Sequence, residues 1–495
     1  MTAKSLFADR HLALTSLVVV LGAFMTILDT TIVNVAIDTL AREFNTDLTT
    51  IQWVSTGYLL ALATVIPLTG WAADRFGTKR LFMISVLLFV LGSALAGTAQ
   101  TANQLIGYRV LQGLGGGMVM PAGMTIISRA AGPARIGRMM SIIGVPMLMA
   151  PIVGPILGGW LVDGPGWQWI FYVNVPIGIA TLFAAYRILP SDVSAPHERL
   201  DWKGLVLLSP GLTAFVYGLA EVSSSGGITA TKAWLPMAAG LVLVAAFALH
   251  AFRIDYALLD LHLIRDKVIM RASAMTTMLF AGAFFATMFL IPLYYQIVRD
   301  QSALNTGLLL APQGLAAAFA MPLAGKYTDS HGAGRVVLFG LGLIVAGLFG
   351  FTHVGVDTSL WLLAGFQGLL GLGMGSSMMP AMAAAYQQMT RDQVARATTA
   401  LNIIQRVGGA IGIALLSVVL SHRLAAVLPP AAGGGDGGLS SAQALPPGAR
   451  AQFLPTVADA FGHTFWWAVG FAILAAIPAL WLPRHQTVAS VAPQH

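Results

Sequence analysis

Residues 70–80 read GWAADRFGTKR, and residues 325–335 read GKYTDSHGAGR. Gly70, Asp74, Gly77 and Arg80 of the first stretch recur as Gly325, Asp329, Gly332 and Arg335, each 255 positions further on. The pair Gln112-Gly113 recurs at the same offset as Gln367-Gly368. A period this long means that the chain is built from two like halves.

The segments around the repeats say what each half is. About 20 apolar residues cross the hydrocarbon core of a bilayer as a helix. Fourteen such runs lie near 13–38, 51–72, 80–98, 104–127, 138–162, 168–189, 204–221, 233–252, 272–296, 304–324, 335–353, 359–385, 397–420 and 461–482. Only 9% of the 495 residues are charged and 57% are hydrophobic, against roughly 25% charged in soluble domains. These numbers predict an all-α integral membrane protein. Shifted by 255 positions, runs one to five fall on runs nine to thirteen. The last run is displaced by a Gly/Pro/Ala-rich outer loop near 424–460. The expected organisation is a six-helix bundle over 1–190, two inserted spans with cytoplasmic linkers over 191–260, and a second six-helix bundle over 261–495. Parallel six-span halves with a substrate path between them are a transporter architecture.

Charge orients the spans. Most of the 27 Lys and Arg residues, including Lys4, Arg10, Lys79, Arg129 and Arg135, fall on the N-terminal side of the membrane. Arg42, Lys232, Arg299, Arg423 and Arg450 fall opposite. The bias places both termini in the cytoplasm. It also accounts for the net charge of +7 without a nucleic-acid partner. The first run is too long for a signal-peptide core and lacks a small-residue cleavage site, so it reads as a retained span. With no Cys and ten scattered His, thiol chemistry and a metal site are not expected.

Three charges fall inside the spans: Asp29, Arg109 and Arg406. A charge at membrane depth costs at least a few kcal/mol and marks function by default. Asp29 lies about 24 Å along a helix entering from the cytoplasm, and Arg109 about 8 Å along one entering from outside. Both therefore sit in the outer half of the bilayer. Desolvation and a nearby guanidinium act on a carboxyl in opposite directions, which suits a group that takes up and releases a proton. Arg109 can instead snorkel to the outer surface. Its counterpart in the second half is Ala364, so the repeat does not require an Arg there.

The loop repeat reads as a mechanical latch. Gly70 permits close helix packing, Asp74 can face a helix N-terminus of the other half, and Arg75 or Arg80 can pair with an acid there. The alternative is a charged turn that anchors two helices; the second copy, with Asp329, favours the latch. The fifth run, SIIGVPMLMAPIVGPILGGW, collects Gly144, Pro151, Gly154, Pro155, Gly158 and Gly159. It predicts a kinked helix with one face nearly free of side chains, able to seal the halves together. The Gly-rich stretch after Arg109 lacks the preceding strand and the Lys-Ser/Thr of a nucleotide-binding loop. Polar and aromatic candidates for a substrate cavity are Thr26, Thr30, Asn34, Trp53, Tyr58, Gln112, Tyr294, Gln296, Gln313, Gln367, Asn402, Gln405 and Arg406. The aromatics among them can equally be interfacial belts.

Taken together, LDTTIVNVAI, GWAADRFGTKR, RVLQG, WQWIFYVNVPIG and GPILGG resemble the major facilitator superfamily, in particular its fourteen-span drug:proton antiporter branch. The resemblance covers nearly the whole chain. It implies the major facilitator fold, with two six-helix bundles plus two extra spans, and export driven by a proton gradient with no cofactor. Its implied partners are small amphipathic or cationic substrates, protons, membrane lipid, and a periplasmic adaptor protein where the host has an outer membrane. It implies a monomer in the plasma (inner) membrane and no enzymatic activity. Asp38 stands where that branch often has Pro, and Ser141 and Ala150 replace span-five glycines. Where some relatives carry coupling acids in span thirteen, this chain offers Asn402, Gln405 and Arg406, so coupling rests more heavily on Asp29. Export of a dedicated metabolite, antibiotic or lipid, or symport of a nutrient, is the alternative on the same fold.

Overall fold

The computed structural model describes residues 3–46, 48–131, 136–190, 199–224, 230–254, 256–387, 389–428 and 447–484. Residues 429–446 of the inserted loop expected near 424–460 lie outside them, as do the side chains of Asn34, Pro151 and Pro155, while the ends of that stretch belong to the flanking helices Arg391–Val427 and Pro447–Ala479.

Within lipid the backbone must satisfy its own hydrogen bonds, so each apolar run becomes a helix. The first bundle comprises α1 (Ala3–Glu43), α2, α3 (Thr78–Ala96), α4 (Ala102–Ala131), α5 (Ile136–Asp163) and α6 (Asn174–Ile188). α2 starts at Leu48–Val65, tightens into a 3-10 turn at Ile66–Leu68 around Pro67, and continues as Thr69–Phe76. The inserted pair is α7 (Trp202–Ser224) and α8 (Thr231–Ala251). The second bundle comprises α9 (Val268–Ile297), α10 (Ala311–His331), α11 (Ala333–Phe351), α12 (Leu360–Tyr386), α13 (Arg391–Val427) and α14 (Pro447–Ala479). Among the described residues, 13 helices are long and apolar enough to cross a membrane. The 28-residue α5, part of which lies outside the described side chains, completes the expected fourteen.

The repeat is visible in the backbone. Gly77 and Gly332, 255 positions apart, both end a helix and cap the next, with φ of 88° and 86°. A side chain is strained in that conformation, so glycine at both positions sets the sharp turns between α2 and α3 and between α10 and α11. The tightest neighbours in the two halves are likewise equivalent, α3 on α4 and α11 on α12.

The halves meet along two seams. On one, α5 packs on α10 and α12. On the other, α13 packs against the Ile66–Phe76 end of α2 and against α4, while α7 lies against both α2 and α13. α8 packs on α7 and otherwise turns its surface outward. The inserted pair is tied at one end by Asp201, which is buried. Its carboxylate accepts from Gly204 N at 2.8 Å and Leu258 N at 3.3 Å, and contacts His250 Nε2 at 2.8 Å.

Candidate functional site

Inside the first bundle, three helices meet at one carboxylate. Asp29 of α1 and Arg109 of α4 are 0% and 1% exposed. Arg109 Nη1 donates to Asp29 Oδ2 at 2.5 Å. Gln112, one turn along α4, donates from Nε2 to Asp29 Oδ1 at 2.8 Å, and Asn174, at the start of α6, donates from Nδ2 to the same oxygen at 2.9 Å. Arg109 is held in turn by the Gln112 Oε1 at 2.7 Å and by the Val54 carbonyl of α2 at 3.2 Å. Its guanidinium lies 4.1 Å from the centre of the Tyr58 ring and 5.7 Å from that of Phe171. Ser93 of α3 supports Asn174 by accepting from its Nδ2 at 3.1 Å while donating to the Phe171 carbonyl at 2.8 Å.

This geometry excludes snorkelling: Arg109 points into the bundle. All three side chains on Asp29 present N–H donors. The arrangement fits a carboxylate, which only accepts; a protonated carboxyl must donate, and one N–H would lose its acceptor. A proton arriving at Asp29 would therefore disturb contacts to α1, α2, α4 and α6 at once. Removing one charge of a buried pair leaves the other uncompensated, a cost of about 3–5 kcal/mol.

Of the residues expected in a cavity, Gln112 and Tyr58 belong to this network, and the Tyr58 hydroxyl meets the Thr30 side chain. Thr26 and Thr30 also bond back to their own helix, at Ala23 O and Thr26 O. Trp53 turns away from the bundle centre and stacks on Tyr217 of α7, 5.9 Å between rings. Gln296 is exposed. Tyr294 donates to Gly355 O at 2.7 Å, and its neighbour Tyr295 accepts from Gln367 Nε2 at 2.6 Å. Gln313 contacts Met374 Sδ at 3.0 Å, Gln405 contacts Met378 Sδ at 3.8 Å, and Asn402 bonds Thr398 O at 2.9 Å. Arg406 stands apart from the Asp29 pair, on α13, and its charge reaches Tyr58.

At the end of the molecule that carries the loop repeat, Asp74 bridges the halves. Arg129 Nη2 of its own bundle donates to Oδ1 at 3.0 Å, and Arg396 of α13 lies 3.8 Å from Oδ2. The partner across the seam is thus an arginine side chain near the start of α13. Arg75 is half-buried and Arg80 exposed, and neither forms an ion pair with an acid among the described residues. Lys79 instead reaches Tyr186 O and Leu189 O within its own half. A Cβ on Gly70 would lie 3.2 Å from Thr399 Oγ1, so the glycine lets α2 and α13 touch. Asp329 is half-buried in the second copy.

The glycines of α5 divide between two tasks. A Cβ on Gly144 would stand 2.5 Å from Met321 Cε, in the other half. One on Gly154 would stand 2.0 Å from Thr31 Oγ1, and one on Gly158 3.2 Å from Ile32 O, both on α1 of the same half. Gly159 faces open space. Among the described glycines, Gly144 thus faces the second bundle, whereas Gly154 and Gly158 bring α5 onto the helix that carries Asp29. Sequence reasoning did not single out Asn174, Arg129 or Arg396. Asn174 had a signal, being a polar residue opening an apolar span inside WQWIFYVNVPIG.

Residues 19–413 match the sequence model of the Major Facilitator Superfamily. The chain belongs to that family. It is 41% identical over 493 residues, 97% of this chain and 91% of the other, to the multidrug resistance protein B homolog of Mycobacterium tuberculosis. It is 30% identical to the tetracenomycin C resistance and export protein of Streptomyces glaucescens, covering 84% of this chain and 77% of that one. Among solved structures it resembles the proton:xylose symporter XylE with a TM-score of 0.60, covering 95% of each chain at 14% identity. That last likeness is one of fold alone. The family is one of transporters, as the two-bundle fold implies, and the protein is a multi-pass membrane protein.

Proposed function

We propose that the protein is a proton-coupled exporter of small amphipathic compounds, working by alternating access between its two bundles. The observation that carries the reading is the Asp29 carboxylate, fully buried and held by Arg109, Gln112 and Asn174. Every side chain bonded to it donates an N–H, so a proton gained there would break at least one of these contacts. The relatives named for multidrug resistance and for export of tetracenomycin C support efflux over uptake. In this reading the protein lies in the plasma (inner) membrane as a monomer with both termini cytoplasmic, uses the proton gradient and no cofactor, and hands substrate to a periplasmic adaptor where an outer membrane exists.

Proton arrival at Asp29 loosens Arg109 and with it the Val54 and Tyr58 contacts to α2. The far end of α2 is the Asp74 latch, held across the seam by Arg396. One helix thus joins the proton site to the cytoplasmic gate. That connection supplies the physical link that an antiporter needs between proton occupancy and the side to which its cavity opens.

The test is Asp29→Asn in proteoliposomes with an imposed proton gradient. A folded variant that still binds the efflux dyes of the wild type but concentrates none of them, a loss of at least tenfold, is expected. Wild-type accumulation by a folded Asp29→Asn protein would overturn the assignment of the proton site.

A further inference from the structure

Arg406 is the third charge within the spans, and the proton mechanism does not use it. It lies on α13, half-buried, about 10 Å of helix beyond Thr399 and the gate contact with Gly70. It therefore sits near mid-membrane, on the side of α13 that meets the first bundle. Among the described residues it makes no ion pair and no hydrogen bond; the group its charge reaches is Tyr58. Its polar neighbours on the same helix do not neutralise it. Asn402 is bonded to Thr398 O, and Gln405 turns its amide to Met378 Sδ.

A charge count of the interior follows. Asp29 and Arg109 cancel within the first bundle. Arg406 leaves the space between the bundles with a net positive charge, and protonation of Asp29 adds another. Tyr58 places its ring 4.1 Å from the Arg109 guanidinium, and the charge of Arg406 reaches it from α13. A folded chain tolerates an uncompensated cation at such depth poorly unless something anionic visits it. An anion lodged there would accept from the five-donor guanidinium fork, with the Tyr58 hydroxyl beside it. On α12, Met374 and Met378 are buried against Gln313 and Gln405, so the surroundings on that side are soft and apolar.

We infer that Arg406 is a specificity-determining residue of the substrate path, selecting amphipathic anions such as aromatic sulfonates or carboxylates and disfavouring permanent cations. The inference rests on the exporter reading and narrows it away from the cationic compounds implied by the family resemblance. A hydrogen bond to a charged group changes binding by about tenfold to hundredfold, which sets the size of the effect.

The test uses the full chain in nanodiscs and a matched pair of probes, 2-naphthalenesulfonate and trimethyl(2-naphthyl)ammonium, titrated by calorimetry. The wild type should bind the sulfonate at least about tenfold more tightly. Arg406→Gln should erase that preference, Arg406→Lys should keep most of it, and Arg406→Glu should favour the ammonium. Equal binding of both probes by the wild type, or an unchanged ratio in Arg406→Gln, would overturn the inference. A parallel assay follows proton-driven export of a broad dye panel by the wild type in proteoliposomes. Absence of export there counts against the exporter reading, while the binding ratio judges the role of Arg406 independently.

Discussion

The two halves of the chain are the same fold with different interiors. Where the first bundle has Asp29, Arg109 and Gln112, the equivalent positions of the second are Phe284, Ala364 and Gln367. Phe284 stacks on Phe280 at 5.9 Å and meets Phe285 edge-on at 5.0 Å. Gln367 has no carboxylate to serve and donates to Tyr295. Yet both halves keep the glycine-capped turn and the Gly-to-Arg loop that carries Asp74 or Asp329. The second bundle forms the same packing with aromatic rings, so the fold does not need a buried ion pair. The absence of such a pair at the equivalent positions supports the proposal that the pair in the first bundle serves proton coupling.

The sharpest break of this comparison is Arg109→Ala, which gives the first bundle the residue that the second carries. In the second bundle Ala364 is harmless; in the first, Asp29 is left as a lone buried charge. The variant should lose about 3–5 kcal/mol of stability, seen as a large drop in thermal midpoint, and should lose export. Adding Asp29→Asn to it should recover much of the stability without restoring proton-driven export. Recovery of export by the double variant would mean that the pair is structural after all.

A smaller effect is expected at the gate. Asp74→Asn removes the ionic contacts to Arg129 and Arg396 but leaves the Asp29 network untouched. Export should slow several-fold while dye affinity stays within about twofold, since exposed or half-buried pairs are worth roughly 1 kcal/mol or less. Unchanged turnover would show that the contact is only an anchoring turn. The smallest effect belongs to the second bundle. Gln367→Ala removes one neutral hydrogen bond to Tyr295, at a cost of about 1 kcal/mol, and export should remain near the wild-type rate. A loss as deep as that of Arg109→Ala would erase the functional asymmetry between the halves.

Much of this was legible in the residues, for physical reasons. Apolar runs of bilayer length and a 255-residue offset specify spans and halves, because lipid allows few other solutions. Asp29 and Arg109 could be singled out because charges at that depth are costly. The sequence did not reveal who faces whom across helices. Asn174 joins the carboxylate from α6, brought there by tertiary packing. Trp53 has the same composition signal as Tyr58 but faces α7, because the inserted pair covers that side of α2. Gly154 and Gly158 face α1 rather than the other bundle, a rotation of α5 about its axis that spacing alone does not fix. Arg396 reaches Asp74 because α13 begins beside α2, a seam that no local pattern encodes.

The central claim is that Asp29 exchanges the coupled proton, and a proton count tests it most directly. Purified protein in a weakly buffered solution is mixed with a saturating transported dye, and the protons released or taken up per dye bound are read with a pH indicator across acid to neutral pH. The account predicts that the wild type exchanges a proton over part of that range and that Asp29→Asn, binding the same dye, exchanges none. An unchanged proton count in a folded, dye-binding Asp29→Asn protein would contradict it.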